Sequence, residues 1–282
     1  DAVLHDPLLQ VKHPYLNQPF FIGRYILYFV IWLGLGHLFF KGSVSQDKDG
    51  NPSHTSKLQG LAAIAVLLYA FSQSFAAIDW MMSLTPHWYS TIYGVYFFAG
   101  SAVASLSAIS LVALILRKGG FLKSLITKEH YHDLGKLLFG FNIFWVYIGF
   151  SQYFLIWYAN IPEETIFFID RISTGWRPIT ILLVVGHFFV PLFLFMSRHA
   201  KRHLGVHAFM VCWMLAIHFI DITWLIKPTH SLDGFHFGIT DFAAFLTIGG
   251  LFVGLLFTNL KKFSLYPCKD PRLKESMEFE NV

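Results

Sequence analysis

Seven long apolar stretches constrain this sequence more than any other feature. Each is close to the ~20 residues that an α-helix needs to cross the hydrocarbon of a bilayer. The composition agrees, because 55% of the 282 residues are hydrophobic and only 13% are charged, which excludes a disordered chain and disfavours a soluble domain. The sequence therefore predicts an all-α, polytopic transmembrane helix bundle with spans at residues 20–40, 58–80, 90–116, 134–158, 178–196, 205–225 and 241–260.

The basic residues are unevenly divided between the two sides of these spans. Of the 21 Lys and Arg residues, 16 lie in or beside the loops after the first, third and fifth spans or in the C-terminal tail. Positive charge marks the cytoplasmic side of a membrane protein, so the imbalance predicts a cytoplasmic C-terminus and explains the net charge of +4 without nucleic-acid binding. The expected organisation is an outer-face segment over residues 1–19, a seven-helix transmembrane domain over 20–260 and a cytoplasmic tail over 261–282.

The first segment also bears on the length of the protein. Residues 1–19 are polar and rich in proline, and they contain neither an initiator Met nor the apolar core of a signal peptide. With an odd number of spans and a cytoplasmic C-terminus, Asp1 would lie outside. We therefore expect an odd number of further helices upstream of this sequence.

Two predicted outer loops carry the candidates for surface function. The second span ends in Asp79 and Trp80, and the loop after it carries His87. A carboxylate at the boundary of the hydrocarbon is costly unless it is paired, hydrated or used, so function is expected here. In another outer loop Glu163 and Glu164 follow Pro162, which is typical of the first turn of a short interfacial helix. With His87, these two acids could instead dock an extrinsic subunit or collect protons.

Polar side chains at membrane depth are the strongest functional signal in the sequence. His218 and Asp221 are three residues apart and Ser72 and Asp79 are seven apart, so each pair shares one face of its helix. Carboxylate and imidazole groups can both accept and release a proton, so a file of such groups could carry protons across the membrane. The candidates for this path are Asp79, His187, His218, Asp221, Ser72, Tyr147 and Gln152. The alternative is that these groups only hydrogen-bond between helices.

No metal or haem site is predicted from the sequence. His37, His187 and His218 lie well inside spans, but the paired spacing of a two-haem cytochrome b is absent. His199 and His203 are four residues apart, yet they lie among basic residues and are interpreted as an interfacial face. The two cysteines have no metal-binding spacing.

Three long segments resemble one known family. They read AIDWMMSLTPHWYSTIYGVYFFAG at residues 77–100, HDLGKLLFGFNIFWVYIGFSQYFLIWYANIPEET at 132–165 and HFFVPLFLFMSRHAKR at 187–202. They resemble the NrfD-like family of polysulfide-reductase membrane anchors, and within it the second of the two large membrane subunits of bacterial alternative complex III. The similarity covers essentially the whole chain. It implies a ten-helix fold, two four-helix bundles plus a flanking pair, of which this chain would be the C-terminal part.

The resemblance also implies a function. Alternative complex III is a quinol:cytochrome c oxidoreductase of the bacterial inner membrane, which passes electrons from menaquinol to cytochrome c or directly to a terminal oxidase. The expected partners are a sister NrfD-like membrane subunit, a multihaem cytochrome c subunit, an iron–sulfur subunit and membrane lipid. The haem c groups and the iron–sulfur clusters would lie in those partners. This chain would supply scaffold and a proton path, with no redox centre or catalytic residue of its own and with menaquinone as a candidate ligand.

Two alternatives stay open at this point. A stand-alone secondary transporter would also place polar groups at mid-membrane, although no inverted repeat is visible. A purely structural anchor would use every polar group to hold helices together. Water in the polar file would distinguish a proton path from an anchor.

Overall fold

A computed structural model of the chain describes residues 6–280, and within that range the protein is helical. Seven of its helices are long and apolar enough to cross a membrane. This confirms the predicted all-α, polytopic architecture. In chain order the α-helices are α1 (Pro7–Lys12), α2 (Gln18–Asp49), α3 (Ser53–Trp80), α4 (Tyr93–Lys118), α5 (Lys128–Ala159), α6 (Pro162–Ile172), α7 (Arg177–Leu183), α8 (Val190–Met196), α9 (Arg198–Arg202), α10 (Leu204–Ile226), α11 (Ile239–Leu260) and α12 (Leu273–Met277).

The first span is longer than the sequence indicated. The apolar stretch ends near residue 40, but α2 continues to Asp49, so most of the polar segment between the first two spans is helical. Gln46 Nε2 donates to Thr55 Oγ1 at 2.7 Å, so two polar side chains of this segment are paired with each other. The helix stops at Gly50, whose positive φ of 69° is the left-handed conformation that commonly ends helices.

Four of the spans form a four-helix bundle with one apolar core. They are α4, α5, the fifth span and α10, which pack against one another in pairs. Fully buried side chains fill the space between them, among them Leu138, Met210, Val211 and Met214. Such packing is how a bundle places polar side chains from facing helices at one internal point.

The fifth span is interrupted at its centre. Between α7 and α8 lies a π-helical turn, Val184–Phe189, and Pro191 follows one residue into α8. Proline has no N–H to donate to the carbonyl of the residue four positions earlier, which here is His187. A π turn contains one residue more than an α turn and is frequent at functional sites. His187 lies within this turn.

The two ends of the bundle differ in charge. We call the end with Asp79, Glu163 and Asp170 the acidic end, and the end with Arg117 and Lys201 the basic end. A layer of aromatic side chains closes the acidic end, where Trp88 stacks on Phe167 with ring centroids 4.0 Å apart. This layer separates the core from the loops.

Arg171, on α6, is buried in that layer. Its guanidinium donates to the carbonyl oxygens of Trp224 and Leu225, at 3.0 and 2.9 Å, and to that of Phe167 at 2.8 Å. Burial lowers the pKa of Arg171 to about 10. The carbonyls at the C-terminal end of a helix lack intrahelical partners, so Arg171 satisfies groups at the end of α10. The short helix predicted after Pro162 is α6, and this contact fixes its place.

Residues 33–66 and 235–280 form a second compact unit. It contains the C-terminal part of α2, the N-terminal part of α3, and α11 with the tail. Lys269 Nζ donates to the carbonyl oxygen of Lys48 at 2.7 Å. None of the 22 described residues of α11 is buried.

Candidate functional site

Asp221 is the centre of a polar cluster inside the four-helix bundle. Its Oδ1 accepts a hydrogen bond from the Tyr96 hydroxyl at 2.5 Å, and its Oδ2 accepts one from Trp145 Nε1 at 3.2 Å. The Nδ1 atom of His218 lies 3.8 Å from Oδ2. Its neighbours come from three spans, α4, α5 and α10. Asp221 is only 1% exposed, so its carboxyl group is closed off from solvent.

His187 extends the cluster from the fifth span. Its ring stacks on that of Trp145, with centroids 3.7 Å apart and planes 14° from parallel. Its Nδ1 lies 2.9 Å from Asn142 Oδ1. Trp145 therefore contacts both His187 and Asp221, and α5 joins the fifth and sixth spans at this point.

Several nitrogen atoms in the cluster have no hydrogen-bond partner among the described residues. They are His187 Nε2, His218 Nδ1 and Asn142 Nδ2. An unpaired polar group in a buried site is costly, so these atoms suit a ligand that can hydrogen-bond, such as water. Carboxyl, phenol and imidazole groups that border water can exchange protons.

The same cluster has the composition of a metal site. His187, His218 and Asp221 each present one ligand atom, and these atoms lie within 4.8 Å of one another. Each Asp221 oxygen accepts one hydrogen bond, from Tyr96 or from Trp145, and keeps a second lone pair, so the same atoms could hold a cation or a proton.

Two glycines make room for the cluster. A Cβ atom at Gly100 would lie 2.9 Å from His218 Cε1, and a Cβ atom at Gly149 would lie 3.0 Å from Tyr96 Cε2. Both distances are shorter than ordinary van der Waals contacts. The absence of a side chain at these positions lets His218 and Tyr96 reach Asp221.

Asp79 lies in a different environment from the cluster. Arg24 donates to both of its carboxylate oxygens, Nε to Oδ2 at 2.7 Å and Nη2 to Oδ1 at 3.0 Å, and the Tyr28 hydroxyl donates at 2.6 Å. Burial and the Asp79 carboxylate raise the pKa of nearby Tyr15 to about 12. These contacts join α2 to α3, away from the Asp221 cluster. That Asp79 belongs to a proton path stays a prediction.

Other predicted candidates also lie apart from Asp221. The hydroxyl of Ser72 accepts from Trp32 Nε1 at 2.9 Å, which is a second α2–α3 contact. Tyr147 is 63% exposed on the surface of α5, and its place in a proton path stays a prediction. Gln152 is buried, two turns along α5 from Trp145.

The candidates at the acidic end are dispersed over the surface. His87 Nε2 lies 3.0 Å from Asp6 Oδ2, so the loop after α3 is paired with the residue that caps α1. Glu163 is exposed at the start of α6, and the backbone carbonyl of Glu164 accepts from Trp88 Nε1 at 3.0 Å. These positions do not form one site.

A second buried polar group lies toward the basic end and was not predicted. His207, on α10, is fully buried, and both of its ring nitrogens lack a partner among the described residues. The ring of Tyr131 lies 5.6 Å away, and its hydroxyl is also unpartnered. His207 and His218 are eleven residues apart, about three helical turns, so a common face could have identified them together. That spacing corresponds to about 16 Å along the helix axis.

An apolar cavity of about 590 Å³ adjoins the cluster. It lies between α5, α6, the fifth span and α10, and Tyr96, Trp145, Gln152, Phe167, Thr180 and Trp224 contribute to its lining. Aromatic walls with few polar groups suit an apolar ring or chain. Tyr96 and Trp145 line the cavity and also donate hydrogen bonds to Asp221. A molecule in the cavity would therefore touch both hydrogen-bond donors of that carboxyl group.

Comparisons with known proteins do not identify the chain. No family model matches it, and no curated protein aligns with it at a significant level.

Proposed function

We propose that this chain is an integral membrane subunit of a quinol-oxidising electron-transfer complex and that its four-helix bundle carries protons. The observation that carries the proposal is the Asp221 cluster, a buried carboxyl group bordered by a phenol and by two imidazoles with unpaired nitrogens. A structural anchor would be expected to pair such groups with one another. Here the unpaired atoms require water or another proton carrier.

The path is best described as two polar regions. The Asp221 cluster lies toward the acidic end and the His207 region toward the basic end, and the buried α10 residues between them include Met210, Val211 and Met214. Apolar side chains do not carry protons, so water must enter this segment for transfer. If this segment changed between a dry state and a hydrated state, the chain would control when protons pass.

The proposed complex follows from the resemblance of the three segments to NrfD-like membrane subunits. In that arrangement the multihaem cytochrome c and iron–sulfur subunits carry the electrons, and this chain and its sister membrane subunit form the membrane part. The acceptor would be cytochrome c or a terminal oxidase. Menaquinone would fit the apolar cavity beside Tyr96 and Trp145, and oxidation of its quinol form there would release protons close to Asp221.

The test is a purification followed by a proton measurement. The protein, tagged at its C-terminus, is extracted gently from its native membrane, and its co-purifying chains are identified by mass spectrometry. Haem- and iron–sulfur-containing partners are expected. A chain that comes out alone would overturn the complex and favour a stand-alone transporter.

In the same preparation, reconstituted into vesicles, Asp221→Asn is expected to lower the rate of quinol-driven proton release by at least tenfold. Asp233→Asn, in an exposed loop, is the matched control and should behave as wild type. If Asp221→Asn leaves proton release unchanged in a folded complex, the chain is a structural anchor instead.

A further inference from the structure

A pocket at the basic end of the bundle has the features of a lipid site. It has a volume of about 480 Å³ and lies where α4 ends and α10 begins. Arg117, Lys118 and Lys123 line it, and no Asp or Glu does. The remaining lining is mostly apolar, from Leu114, Leu204, Ala208 and two glycines.

The two lysines are available for a ligand. Neither ammonium group has a hydrogen-bond or ion-pair partner among the described residues, and both side chains are exposed. Arg117 differs, because its Nη1 donates to the carbonyl oxygens of Lys123 and Ile126. This contact holds the loop after α4 so that Lys123 is placed at the pocket.

Backbone groups add to the positive potential. The first amides of a helix have no intrahelical acceptor, and in α10 the third amide, that of Val206, donates to His203 Nδ1 at 3.3 Å. The two amides before it belong to Leu204 and Gly205, which line the pocket. The positive end of the dipole of a 23-residue helix therefore coincides with the two free lysines.

We propose that this pocket binds the phosphodiester headgroup of an anionic phospholipid. Its position at the ends of two spans is the depth at which headgroups lie, and basic pockets between helices on the cytoplasmic side are known to bind them. The apolar part of the lining, Leu114, Leu204 and Ala208, continues along the spans and suits the start of an acyl chain. A soluble anion would use the charges alone and leave that apolar surface uncovered.

The test is native mass spectrometry of the protein as purified from its membrane and transferred to nanodiscs of mixed phosphatidylglycerol and phosphatidylcholine. Wild type is expected to retain phosphatidylglycerol selectively, and Lys118→Gln/Lys123→Gln to retain at least about tenfold less, since each interfacial lysine contributes substantially to anionic-lipid binding. Lys261→Gln/Lys262→Gln removes the same charge after α11, outside the pocket, and should match wild type. Equal retention by the pocket variant, or equal loss in the control, would overturn the site.

Two further measurements decide the chemistry. A large excess of inorganic phosphate should not displace the lipid, and displacement would assign the pocket to soluble anions instead. Lys118→Arg/Lys123→Arg keeps the charge and should retain the lipid.

If the double Gln variant does not fold, Lys123→Gln alone can be used, because it changes an exposed loop position. It is expected to lose part of the lipid binding, and retention equal to wild type would count against the proposal.

Discussion

Two buried carboxylates in this protein have opposite surroundings. Asp79 faces the guanidinium of Arg24, which compensates its charge, whereas Asp221 accepts from the neutral donors Tyr96 and Trp145. The Asp221 carboxyl group also has His218 Nδ1 3.8 Å from its Oδ2, but among the described residues no Lys or Arg lies beside it as Arg24 lies beside Asp79. The sequence presents the two aspartates alike, and only the packing of the helices distinguishes them.

Asp79→Asn is expected to destabilise the protein by about 3 kcal/mol, since breaking a buried ion pair leaves the charge of Arg24 uncompensated. Thermal unfolding in detergent, followed by tryptophan fluorescence, measures the change. Arg24→Leu/Asp79→Leu removes both charges and should destabilise the protein by less than the sum of the losses in Arg24→Leu and in Asp79→Leu. Additive losses would show that the pair is not coupled.

Gly100→Ala is expected to displace His218 and to cost about 1–3 kcal/mol, as overpacking of a well-packed core does. A Cβ atom there would lie 2.9 Å from the imidazole. The rate of quinol-driven proton release should fall with it. The matched control is Gly140→Ala on α5, where a Cβ atom would meet nothing within 4 Å, and which should be neutral or slightly stabilising. Identical behaviour of the two variants would contradict the packing argument.

Sequence reasoning at this scale succeeds where partners lie on one helix. His218 and Asp221 are three residues apart, so their proximity followed from helical periodicity. Arg24 and Asp79 are 55 residues apart, and Tyr96 and Asp221 are 125 apart. Such pairs depend on how the helices pack, and that packing cannot be predicted from the periodicity of a single sequence. Tyr96 and Trp145 were missed because an aromatic residue in an apolar span is indistinguishable from core.

At the scale of elements, the fifth span shows how a helix can present a side chain that a regular α-helix would turn elsewhere. The π turn Val184–Phe189 and Pro191 together place His187 against Trp145 and Asn142. The seven spans were predictable because hydrocarbon thickness fixes their length. The π turn was not, since Pro191 indicates only that the helix is irregular.

Pro191→Ala restores an N–H that can donate to the His187 carbonyl, so the span is expected to become more regularly α-helical. His187 should then lose its contact with Asn142, and proton release should fall several-fold while helix content by circular dichroism is unchanged. Pro178→Ala, in the first turn of α7, removes no such constraint and serves as the control. Wild-type proton release in Pro191→Ala would show that the π turn does not position His187.

At the scale of the whole molecule, the orientation in the membrane is predicted from charge and has a direct test. The two free cysteines lie in different environments, Cys212 on α10 within a span and Cys268 in the tail. A membrane-impermeant maleimide should label Cys268 in inverted vesicles and leave it unlabelled in intact cells. Cys268→Ser should abolish the signal. Labelling in intact cells would place the tail outside and reverse the topology.

The expected ten-helix fold stays a prediction. Within residues 6–280, spans three to six form a bundle with its own core. The buried cluster, the basic pocket and the apolar cavity all belong to the first compact unit.

The seventh span has a consequence for biogenesis. None of the residues of α11 is buried, yet its mean hydropathy of 1.9 is as high as that of several other spans. Insertion into a bilayer depends on hydropathy, and association between helices is a later and separate step. The translocon should accordingly release α11 into lipid before any packing holds it there, and its final neighbours would be chosen during assembly rather than during synthesis.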